Sequence, residues 1–364
     1  MKIKAAVVRE ESGPFNLEDL ELEEPREDEV LVRIAGVGIC HTDLACRDQY
    51  VPVPLPGVFG HEGSGVVERV GPGVSKVKPG DPVVMSFLTC GTCSACRQGR
   101  EAYCPNLTAY NFGGARPDGS TNLRKGKEAI HGSFFGQSSF ANFALANERN
   151  TVKVPDDAPI EMLGPLGCGV QTGAGAVINS LHPQAGSSIA VFACGTVGMS
   201  AILAAVVCGC GTIIAVDINS DRLKLAREFG ATHTINPEET DPVEAIQQIT
   251  GGGVDYSLEC IGTPAVFRQS VDALNVTGVC GLIGFTPMGT EASLDMNTIM
   301  FGRTIRGIIE GDANPDLFIP TLIELQQQGR FPFDQMISYY SFDEIATAVA
   351  DLESGRALKP VLRP

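Results

Sequence analysis

Two short motifs and one separate cysteine contain side chains that can bind a metal ion. The motifs are CHTD at residues 40–43 and GHE at 60–62, each after a strand-like run, and Cys168 lies in the later segment GPLGCGVQTGAGA. Cys40, His61 and Cys168 together supply two sulfurs and one nitrogen, which leaves a zinc ion one open position for water or substrate. Each residue alone is weaker evidence, because a single buried Cys is usually an inert core residue and a single His is more often structural.

The tightest cluster in the sequence consists of four further cysteines: Cys90, Cys93, Cys96 and Cys104. Four thiolates at this spacing can surround one tetrahedral zinc at about 2.3 Å, and a closed shell of that kind leaves no position for chemistry. We therefore expect a structural zinc here. Arg97 and Arg100 lie close in sequence and would offset the negative charge of the thiolates. Free thiols or an iron–sulfur site are the alternatives.

A glycine-containing turn in the second half of the chain has the pattern of a dinucleotide-binding site. The segment ACGTVG at 193–198 includes Gly195 and Gly198 and differs from G-x-G-x-x-G only in its first residue, Ala193. Asp217 ends the next strand-like run, about 22 residues after Gly195. A carboxylate there accepts hydrogen bonds from the adenine ribose and repels a 2′-phosphate, which favours NAD over NADP. Arg222 could also lie near the ribose.

The two halves of the chain differ in the elements that would position these motifs. Residues 1 to about 150 contain short Val/Ile-rich runs broken by Gly and Pro, which predict an antiparallel, barrel-like domain. From about residue 175 strand-like and helix-like runs alternate, which predicts a parallel sheet with crossover helices. We therefore predict an α/β protein of two domains. The catalytic domain would span 1–160 and be completed by 301–364, and the nucleotide-binding domain would span 161–300.

The composition limits the kinds of binding partner and the cellular location that we expect for this protein. The 27 basic and 43 acidic side chains leave a net charge of −16, which disfavours nucleic acid and anionic lipid as partners. No apolar run approaches the roughly 20 residues of a membrane span, and the N-terminal residues do not have the pattern of a secretory signal. We therefore expect a cytoplasmic protein. Its twelve cysteines would then stay reduced and be available to metal.

The motifs CHTD, GHEGSGVVERVG, the cysteine cluster, GCG and VGMS…AVD occur in an order that resembles the zinc-containing medium-chain alcohol dehydrogenases, over nearly the whole chain. This resemblance implies a GroES-like β-barrel catalytic domain and a Rossmann domain with a doubly wound parallel sheet. It implies that Cys40, His61 and Cys168 bind the catalytic zinc with Glu62 close behind it. Asp43 would orient His61 through the other ring nitrogen, as such partners of a ligating imidazole do.

The same resemblance implies a path for the proton and contacts for the cofactor. Thr42 would receive the proton of the alcohol and pass it to the cofactor ribose, the alternative being a simple turn residue. Thr172 and Val197 would border the nicotinamide. Lys359 would contact the pyrophosphate, the alternative being an exposed lysine in the tail.

In one position the chain departs from many members of that family. They place a histidine about five residues after the first zinc ligand to hand the proton to solvent, but this chain has Ala45. His41 or an ordered water could take over this outer step.

The segment 105–140 predicts a long loop with the aromatic residues Tyr110, Phe112, Phe134 and Phe135. Long loops in compact domains are often functional, so it could wall the substrate site, or it could be a surface or subunit-contact excursion. Together with 51–56 and 301–320 it resembles the aryl and allylic branch of the family, the benzyl alcohol and geraniol dehydrogenases. The expected reaction is NAD-dependent oxidation of a small apolar primary alcohol to the aldehyde, in a homodimer or homotetramer.

Three other functions remain open at this point. A glutathione-dependent formaldehyde dehydrogenase has the same fold but needs basic residues for an anionic substrate. A zinc-free quinone or enoyl reductase generally lacks the ligand set present here. A non-catalytic cofactor-binding scaffold would not need Thr42 together with the three zinc ligands.

Overall fold

The computed structural model describes all residues from 1 to 364. The chain forms two compact units, which consist of residues 1–168, 314–324 and 334–364, and of residues 169–313 and 325–333. The first unit ends at Cys168, further along than the boundary at 160 drawn from the sequence. The reason is local: Ser64 Oγ donates to Ile160 O at 2.6 Å and Ser86 Oγ donates to Gly167 O at 2.7 Å, so this segment is bonded to strands of the first unit.

The strands and helices are numbered in chain order. The strands are β1 Lys2–Val8, β2 Asn16–Leu22, β3 Glu29–Gly38, β4 Gly57–Val58, β5 Glu62–Val70, β6 Pro82–Met85, β7 Leu123–Lys125, β8 Glu128–Ile130, β9 Phe143–Asn147, β10 Thr151–Lys153, β11 Ser188–Phe192, β12 Thr212–Val216, β13 His233–Ile235, β14 Val254–Glu259, β15 Leu274–Leu282, β16 Thr304–Gly307, β17 Ile337–Ser341 and β18 Lys359–Arg363. The α-helices are α1 His41–Arg47, α2 Ser94–Arg97, α3 Leu107–Phe112, α4 Gly169–Gly175, α5 Thr196–Val207, α6 Ser220–Glu228, α7 Pro242–Thr250, α8 Pro264–Asp272, α9 Met296–Met300, α10 Pro315–Gln327 and α11 Ile345–Glu353.

The first unit contains two largely antiparallel sheets around one apolar core. One sheet has the order β4-β1-β2-β7-β8, and the other has the order β10-β6-β5-β3-β18-β17, with β9 also paired to β3. In the long strand β3 nearly every residue is buried, as its run of Val, Leu and Ile requires. The last strand of the chain, β18, pairs antiparallel with β3 through Val361 opposite Gly38. This arrangement confirms the barrel-like first domain.

The segment 105–140 is more ordered than the open loop predicted from its composition. It contains α3 and the hairpin of β7 and β8, which extends one sheet of the barrel. Arg116 fixes the intervening turn, because its buried guanidinium contacts both carboxylate oxygens of Glu29. Arg116 and Glu29 are 87 residues apart in the sequence, so no local pattern predicted this ion pair.

The second unit is a six-stranded parallel sheet in the order β13-β12-β11-β14-β15-β16. Numbered from β11, this is the 3-2-1-4-5-6 order of the doubly wound dinucleotide-binding fold, and it confirms the α/β class. The helix α5 opens at the glycine-containing turn and is apolar on nearly all sides. A helix with that composition belongs in the interior, and its residues from Gly198 to Ala205 are all buried.

None of the helices is both long enough and apolar enough to span a membrane.

Candidate active site and metal centres

A buried carboxylate organises the first metal centre. Asp43 has no exposed side-chain surface, and its Oδ1 lies 2.9 Å from His61 Nδ1 and accepts from Gly60 N at 3.0 Å. Its Oδ2 accepts from the backbone N–H of Cys40 at 3.0 Å, as the third helical residue of a capping box does. Asp43 therefore connects the start of α1, which carries Cys40, to the turn before β5, which carries His61.

The structure brings four predicted site residues together. One potential ligand atom from each of Cys40, His61, Glu62 and Cys168 lies within 4.8 Å of the others. His61 Nδ1 is occupied by Asp43, while His61 Nε2 is buried and has no hydrogen-bond partner. A buried nitrogen lone pair without a partner is costly unless something binds it, and two nearby sulfurs with one imidazole suit zinc. These residues fit a zinc ion.

The charges in this centre favour a bound cation. Burial opposes protonation of His61, yet the carboxylate of Asp43 and the thiol of Cys40 raise its pKa well above the ordinary value. A hydrogen bond with Cys168 lowers the pKa of Cys40 well below the ordinary value, despite burial. The carboxylate of Asp43 and the sulfur of Cys40 therefore place negative charge beside the imidazole of His61.

The carboxylate of Glu62 is hydrogen-bonded to a buried lysine. Lys359 is 2% exposed, and its Nζ donates to Glu62 Oε2 at 2.8 Å, to Glu62 Oε1 at 3.0 Å and to Ile39 O at 3.1 Å. The ammonium thus has an acceptor for each of its three protons. This geometry excludes the exposed tail lysine considered from the sequence. In the structure the ammonium of Lys359 contacts Glu62. Its contact with the pyrophosphate of the cofactor stays a prediction.

The predicted proton-relay residues lie at the start of α1. Thr42 is half-buried, and its Oγ1 is 3.7 Å from Cys40 Sγ. His41 is the first residue of the helix and is exposed. Ala45 is half-buried one turn further along. Thr42 is therefore adjacent to a potential ligand, and His41 is on the solvent side.

Aromatic rings surround the imidazole of His61. The ring centroid of Phe135 lies 4.5 Å from that of His61 at an interplanar angle of 31°, and Phe134 lies edge-on at 5.6 Å. Phe112 in turn contacts both phenylalanines. Three of the four aromatic residues singled out in 105–140 thus form an apolar cluster beside the centre, and Tyr110 makes none of these ring contacts.

Backbone strain accompanies this cluster. Phe135 has φ of +51°, and Ser133 and Ser138 nearby are also left-handed. A bulky residue rarely adopts positive φ, so the surrounding contacts must hold it there. Gln137 supplies some of them, because its Nε2 donates to His61 O at 2.9 Å and its Oε1 accepts from Gly63 N at 3.1 Å. The sequence contained no signal for this stacked arrangement.

The four cysteines predicted to form a structural site also come together. Four of their Sγ–Sγ distances are 3.4 Å, 3.5 Å, 4.0 Å and 4.0 Å. A tetrahedron of sulfurs at 2.3 Å from a central ion has edges of about 3.8 Å, and none of the cysteines forms a disulfide. The donor set therefore fits one zinc ion. We call these residues, 90–104, the cysteine lobe.

Backbone N–H groups and one distant arginine support the cysteine lobe. The N–H of Cys93 donates to Cys90 Sγ at 3.4 Å, and together with the N–H of Thr92 it lowers the pKa of Cys90 to about 5. Burial instead raises the pKa of Cys96 to about 12, so a metal cation would be needed to keep all four sulfurs deprotonated. The guanidinium of Arg149 lies against Gly91, whereas Arg97 and Arg100 are exposed. Arg149 was not predicted as a neighbour of the cysteine lobe, because it lies 45 residues after Cys104 in the sequence.

The turn at 193–198 has the features that a pyrophosphate requires. A Cβ on Gly198 would lie 1.8 Å from Ala193 O, whereas the space in front of Gly195 is open. Gly195 caps α5 without a side chain, so the helix N-terminus can bind an anion. Ala193 adopts φ of +79°, so the one substitution in the fingerprint fits only with backbone strain.

Asp217 lies directly after β12 and is bonded to the same turn. Its Oδ2 accepts from Cys194 N at 2.7 Å and its Oδ1 accepts from Asn219 N at 2.8 Å. A carboxylate has about four acceptor positions, so two remain for ribose hydroxyls. Arg222 Nη1 lies 4.0 Å from Asp217 Oδ2. The residues of this edge therefore fit the adenosine half of a dinucleotide.

Two apolar residues that were not predicted from the sequence lie at the same edge of the parallel sheet. Ile218 follows Asp217 and is 64% exposed, and Ile261 follows β14 and is 45% exposed. Exposed isoleucines at the carboxyl ends of two strands are suited to a flat apolar ring such as adenine. Their signal in the sequence was only their position directly after a strand.

Thr172 and Val197 occupy neighbouring helices of the second unit. Thr172 lies in α4 and is buried, and Val197 lies in the first turn of α5 and is half-buried. The helices meet at Gly173, where a Cβ would lie 1.9 Å from Val197 O. Both residues predicted to border the nicotinamide are thus beside the glycine-containing turn.

Comparison with known proteins gives one consistent family. Residues 26–156 match the alcohol dehydrogenase GroES-like domain, and residues 196–327 match the zinc-binding dehydrogenase model. The chain is 47% identical to a geraniol dehydrogenase of Castellaniella defragrans over 99% of this chain and 97% of that protein.

Two solved structures are similar over the whole length. A benzyl alcohol dehydrogenase of Acinetobacter calcoaceticus is 49% identical with a TM-score of 0.97, covering 100% of this chain and 99% of the other. An alcohol dehydrogenase zinc-binding domain protein of Burkholderia ambifaria is 55% identical with a TM-score of 0.98 and the same coverage. With two sets of side chains that fit zinc and a dinucleotide-binding fold, the chain belongs to the medium-chain zinc-dependent alcohol dehydrogenases, enzymes that use zinc and a nicotinamide cofactor.

Proposed function

We propose that this enzyme oxidises an uncharged aryl or allylic primary alcohol to the aldehyde and passes the hydride to NAD. The observation that carries the proposal is the unpartnered His61 Nε2 among two sulfurs and a cluster of phenylalanine rings. The names of the benzyl alcohol and geraniol dehydrogenases among its relatives agree with a substrate of this kind.

Cys40, His61 and Cys168 would hold the catalytic zinc, which would lower the pKa of a bound hydroxyl by several units. Asp43 occupies His61 Nδ1 and so directs the lone pair of Nε2 to the metal position. Lys359 donates to both oxygens of Glu62, which would make that carboxylate a neighbour of the ligands and not a fourth ligand. The open fourth position is then left to the alcohol.

Thr42 would take the proton of the alcohol on its hydroxyl oxygen and pass its own proton to the cofactor ribose. Its place beside Cys40 Sγ supports this role. His41 would pass the proton on to solvent in place of the family's later histidine, because it is exposed at the start of the same helix and position 45 carries a methyl group.

Asp217 would bind the adenine ribose through its remaining acceptor positions, with Gly195 and Gly198 permitting the approach of the pyrophosphate. Two backbone N–H groups donate to Asp217 and fix the orientation of its carboxylate. A 2′-phosphate bound there would therefore be repelled by a negative charge that cannot rotate out of the site. NAD is therefore the expected cofactor rather than NADP. Replacement by Asp217→Ser should lower the NAD to NADP ratio of kcat/KM at least about tenfold, and an unchanged ratio would contradict the assignment.

Phe134 and Phe135 would form the apolar wall that receives the substrate, because their rings already lie against His61. Apolar pockets of this kind discriminate weakly between similar hydrocarbons. The test is a panel of benzylic, allylic and short aliphatic alcohols with NAD and NADP. Higher kcat/KM on hydroxymethylglutathione than on benzyl alcohol would favour a glutathione-dependent formaldehyde dehydrogenase instead.

The cysteine lobe would hold a second, structural zinc, since its four sulfurs leave no open position. Two zinc ions per chain are expected on metal analysis. A value of one or less would contradict the pair of sites and revive a zinc-free reductase. A cytoplasmic location agrees with twelve cysteines that form no disulfide.

A symmetric homodimer or homotetramer is proposed from the surface of the second unit. Its edge strand β16 has no partner on one side, and several large apolar side chains of the segment 276–301, which precedes this strand, are exposed: Val276, Phe285, Met288, Met296, Met300 and Phe301. An unpaired edge with exposed apolar groups is a usual place for a second copy. Light scattering on the protein as it elutes from a size-exclusion column gives its molar mass and tests this proposal. The mass of a monomer at micromolar concentration would refute it.

A further inference from the structure

The strand pairing that leads to the metal centre around His61 ends before it reaches that centre. β5 and β6 pair as far as Ser64 and Val84. Continued by two residues, the same register would place Ser86 opposite Glu62, the neighbour of His61. Instead, a side chain from a distant segment of the chain lies between the two strand ends.

The side chain between the strand ends is that of Gln137, which is 1% exposed. Its Nε2 donates to His61 O at 2.9 Å and to Ser86 O at 3.2 Å, and its Oε1 accepts from Gly63 N at 3.1 Å. A backbone carbonyl can only accept and a backbone N–H can only donate, so these partners determine the orientation of the amide. Gln137 thus bonds the peptide groups on both sides of Glu62 and joins them to the end of β6.

Ser86 continues these bonds to the third predicted ligand. Its Oγ donates to Gly167 O at 2.7 Å, and Gly167 immediately precedes Cys168. Close packing keeps this segment on the strand, because a Cβ on Gly167 would lie 2.2 Å from a backbone oxygen of β6. A line of hydrogen bonds therefore runs from the main chain of His61 through Gln137 to the segment that carries this cysteine.

The groups behind the ligands of an open metal site hold those ligands at the right spacing. Asp43 fixes the orientation of the imidazole of His61, whereas Gln137 bonds the main chain from which that ring projects. The two residues therefore control different quantities. The first is the rotation of the ring, and the second is the separation between the strand end of His61 and the segment of Cys168.

We propose that Gln137 is a positioning residue of the catalytic centre, whose amide separates the ends of β5 and β6 and, through Ser86, sets the distance between His61 and Cys168. Without the amide two buried carbonyls lose a donor, which is costly enough that the strand ends must move. The three ligands would then bind the metal more weakly and in a different geometry. This role rests on the set of zinc ligands proposed above.

The test uses Gln137→Met in the zinc-loaded enzyme. Methionine has a similar length and fills similar space, but it cannot donate to either carbonyl. We expect zinc to leave the centre around His61 about tenfold faster, measured as its transfer to a chelator together with the loss of turnover, while the zinc of the cysteine lobe leaves at the wild-type rate. With Co(II) in place of the catalytic zinc, the visible absorption depends on the geometry of the ligands and should change as well.

Asn111→Leu is the matched control for a loss of stability alone. Asn111 is equally buried, and its Nδ2 also donates to two backbone carbonyls, Leu88 O at 2.9 Å and Leu107 O at 2.7 Å. Neither carbonyl belongs to a predicted ligand of the centre around His61. This variant should lower the thermal stability but leave the Co(II) absorption and the release of the catalytic zinc as in the wild type.

Ser86→Ala tests the second link and decides the question if Gln137→Met does not fold. Alanine keeps the carbonyl that accepts from Gln137 and removes the hydroxyl that donates to Gly167 O, so the Co(II) absorption should change here too. An unchanged absorption and release rate in either folded variant, or an equal change in Asn111→Leu, would overturn the role of Gln137. If Cys40→Ala keeps two zinc ions per chain, the proposed ligand set itself is wrong.

Discussion

The cysteine lobe and the centre around His61 use similar ligands but are assembled differently. The lobe takes all four sulfurs from residues 90–104, and N–H groups of the same segment donate to them. The other centre would take its ligands from residues 40, 61 and 168, and a buried carboxylate connects two of these segments.

The difference in assembly corresponds to a difference in what each centre can do. Four sulfurs at tetrahedral distances close the lobe, so its contribution is to folding. The centre around His61 would have three ligands, and the fourth member of this cluster, Glu62, is paired with Lys359. The only carboxylate in this cluster thus has both of its oxygens bound by a lysine that is distant in the sequence.

Removal of a ligand from the open centre should have the largest effect on turnover. We expect Cys40→Ala to lower kcat/KM by about 10³-fold or more and to reduce the zinc content from two to one per chain, with little change in thermal stability. The control is Cys46→Ala, a buried cysteine of the same helix that lies outside both clusters. Full activity in Cys40→Ala would remove this cysteine from the catalytic ligands.

Removal of a ligand from the lobe should instead act on stability. We expect Cys93→Ser to release the second zinc and to lower the free energy of unfolding by several kcal/mol, because a structural metal contributes directly to folding. The zinc that remains should still support turnover in the folded fraction. Cys208→Ser, a half-exposed cysteine outside the clusters, should have no such effect. Selective loss of turnover without loss of stability would mean that the two centres are less distinct than described.

The relay residues test whether the open centre also moves protons. Thr42→Ala should slow hydride transfer by about 10²-fold, whereas Thr42→Ser keeps the hydroxyl and should stay within severalfold of wild type. His41→Ala should change the pH dependence of hydride transfer measured in single-turnover experiments. An unchanged pH profile would assign the outer step to water.

Asp43 should have the smallest effect of this series, and it should affect one centre only. Asp43→Asn alters the partner of His61 Nδ1, so zinc should bind ten to a hundred times more weakly at that centre. The rate of zinc transfer to a chelator gives this value for each centre separately. Asp48→Asn, at the C-terminal end of the same helix, half-buried and paired with Arg47, is the control. Faster loss of the lobe zinc in Asp43→Asn would show that the centres are coupled.

The fold and both clusters of ligands could be predicted because each depends on short-range patterns. Alternating strand-like and helix-like runs specify the parallel sheet, and the spacing from Cys90 to Cys104 is nearly sufficient to fold the lobe. Cys40 and His61 were recognisable because each occupies a short motif next to a strand. Cys168 lies far from both motifs in the sequence, and the resemblance to a known family supported its place in the set.

The features that escaped prediction depend on contacts between distant segments. Lys359 belongs to the final strand, and only the pairing of β18 with β3 places its ammonium at Glu62. Arg149 reaches the lobe from outside it. Phe135 stacks on His61 only because its backbone is forced to positive φ, and no side-chain pattern encodes such a conformation.

The position of Lys359 also has a consequence for the order in which the enzyme matures. The lobe has all its ligands once residue 104 has been synthesised, and it can take up zinc while the rest of the chain is still being made. The centre around His61 includes Glu62, whose carboxylate is bound by Lys359 in β18. The lobe can therefore fold before the residue that anchors Glu62 has been synthesised, and its zinc can be bound before the centre around His61 is complete.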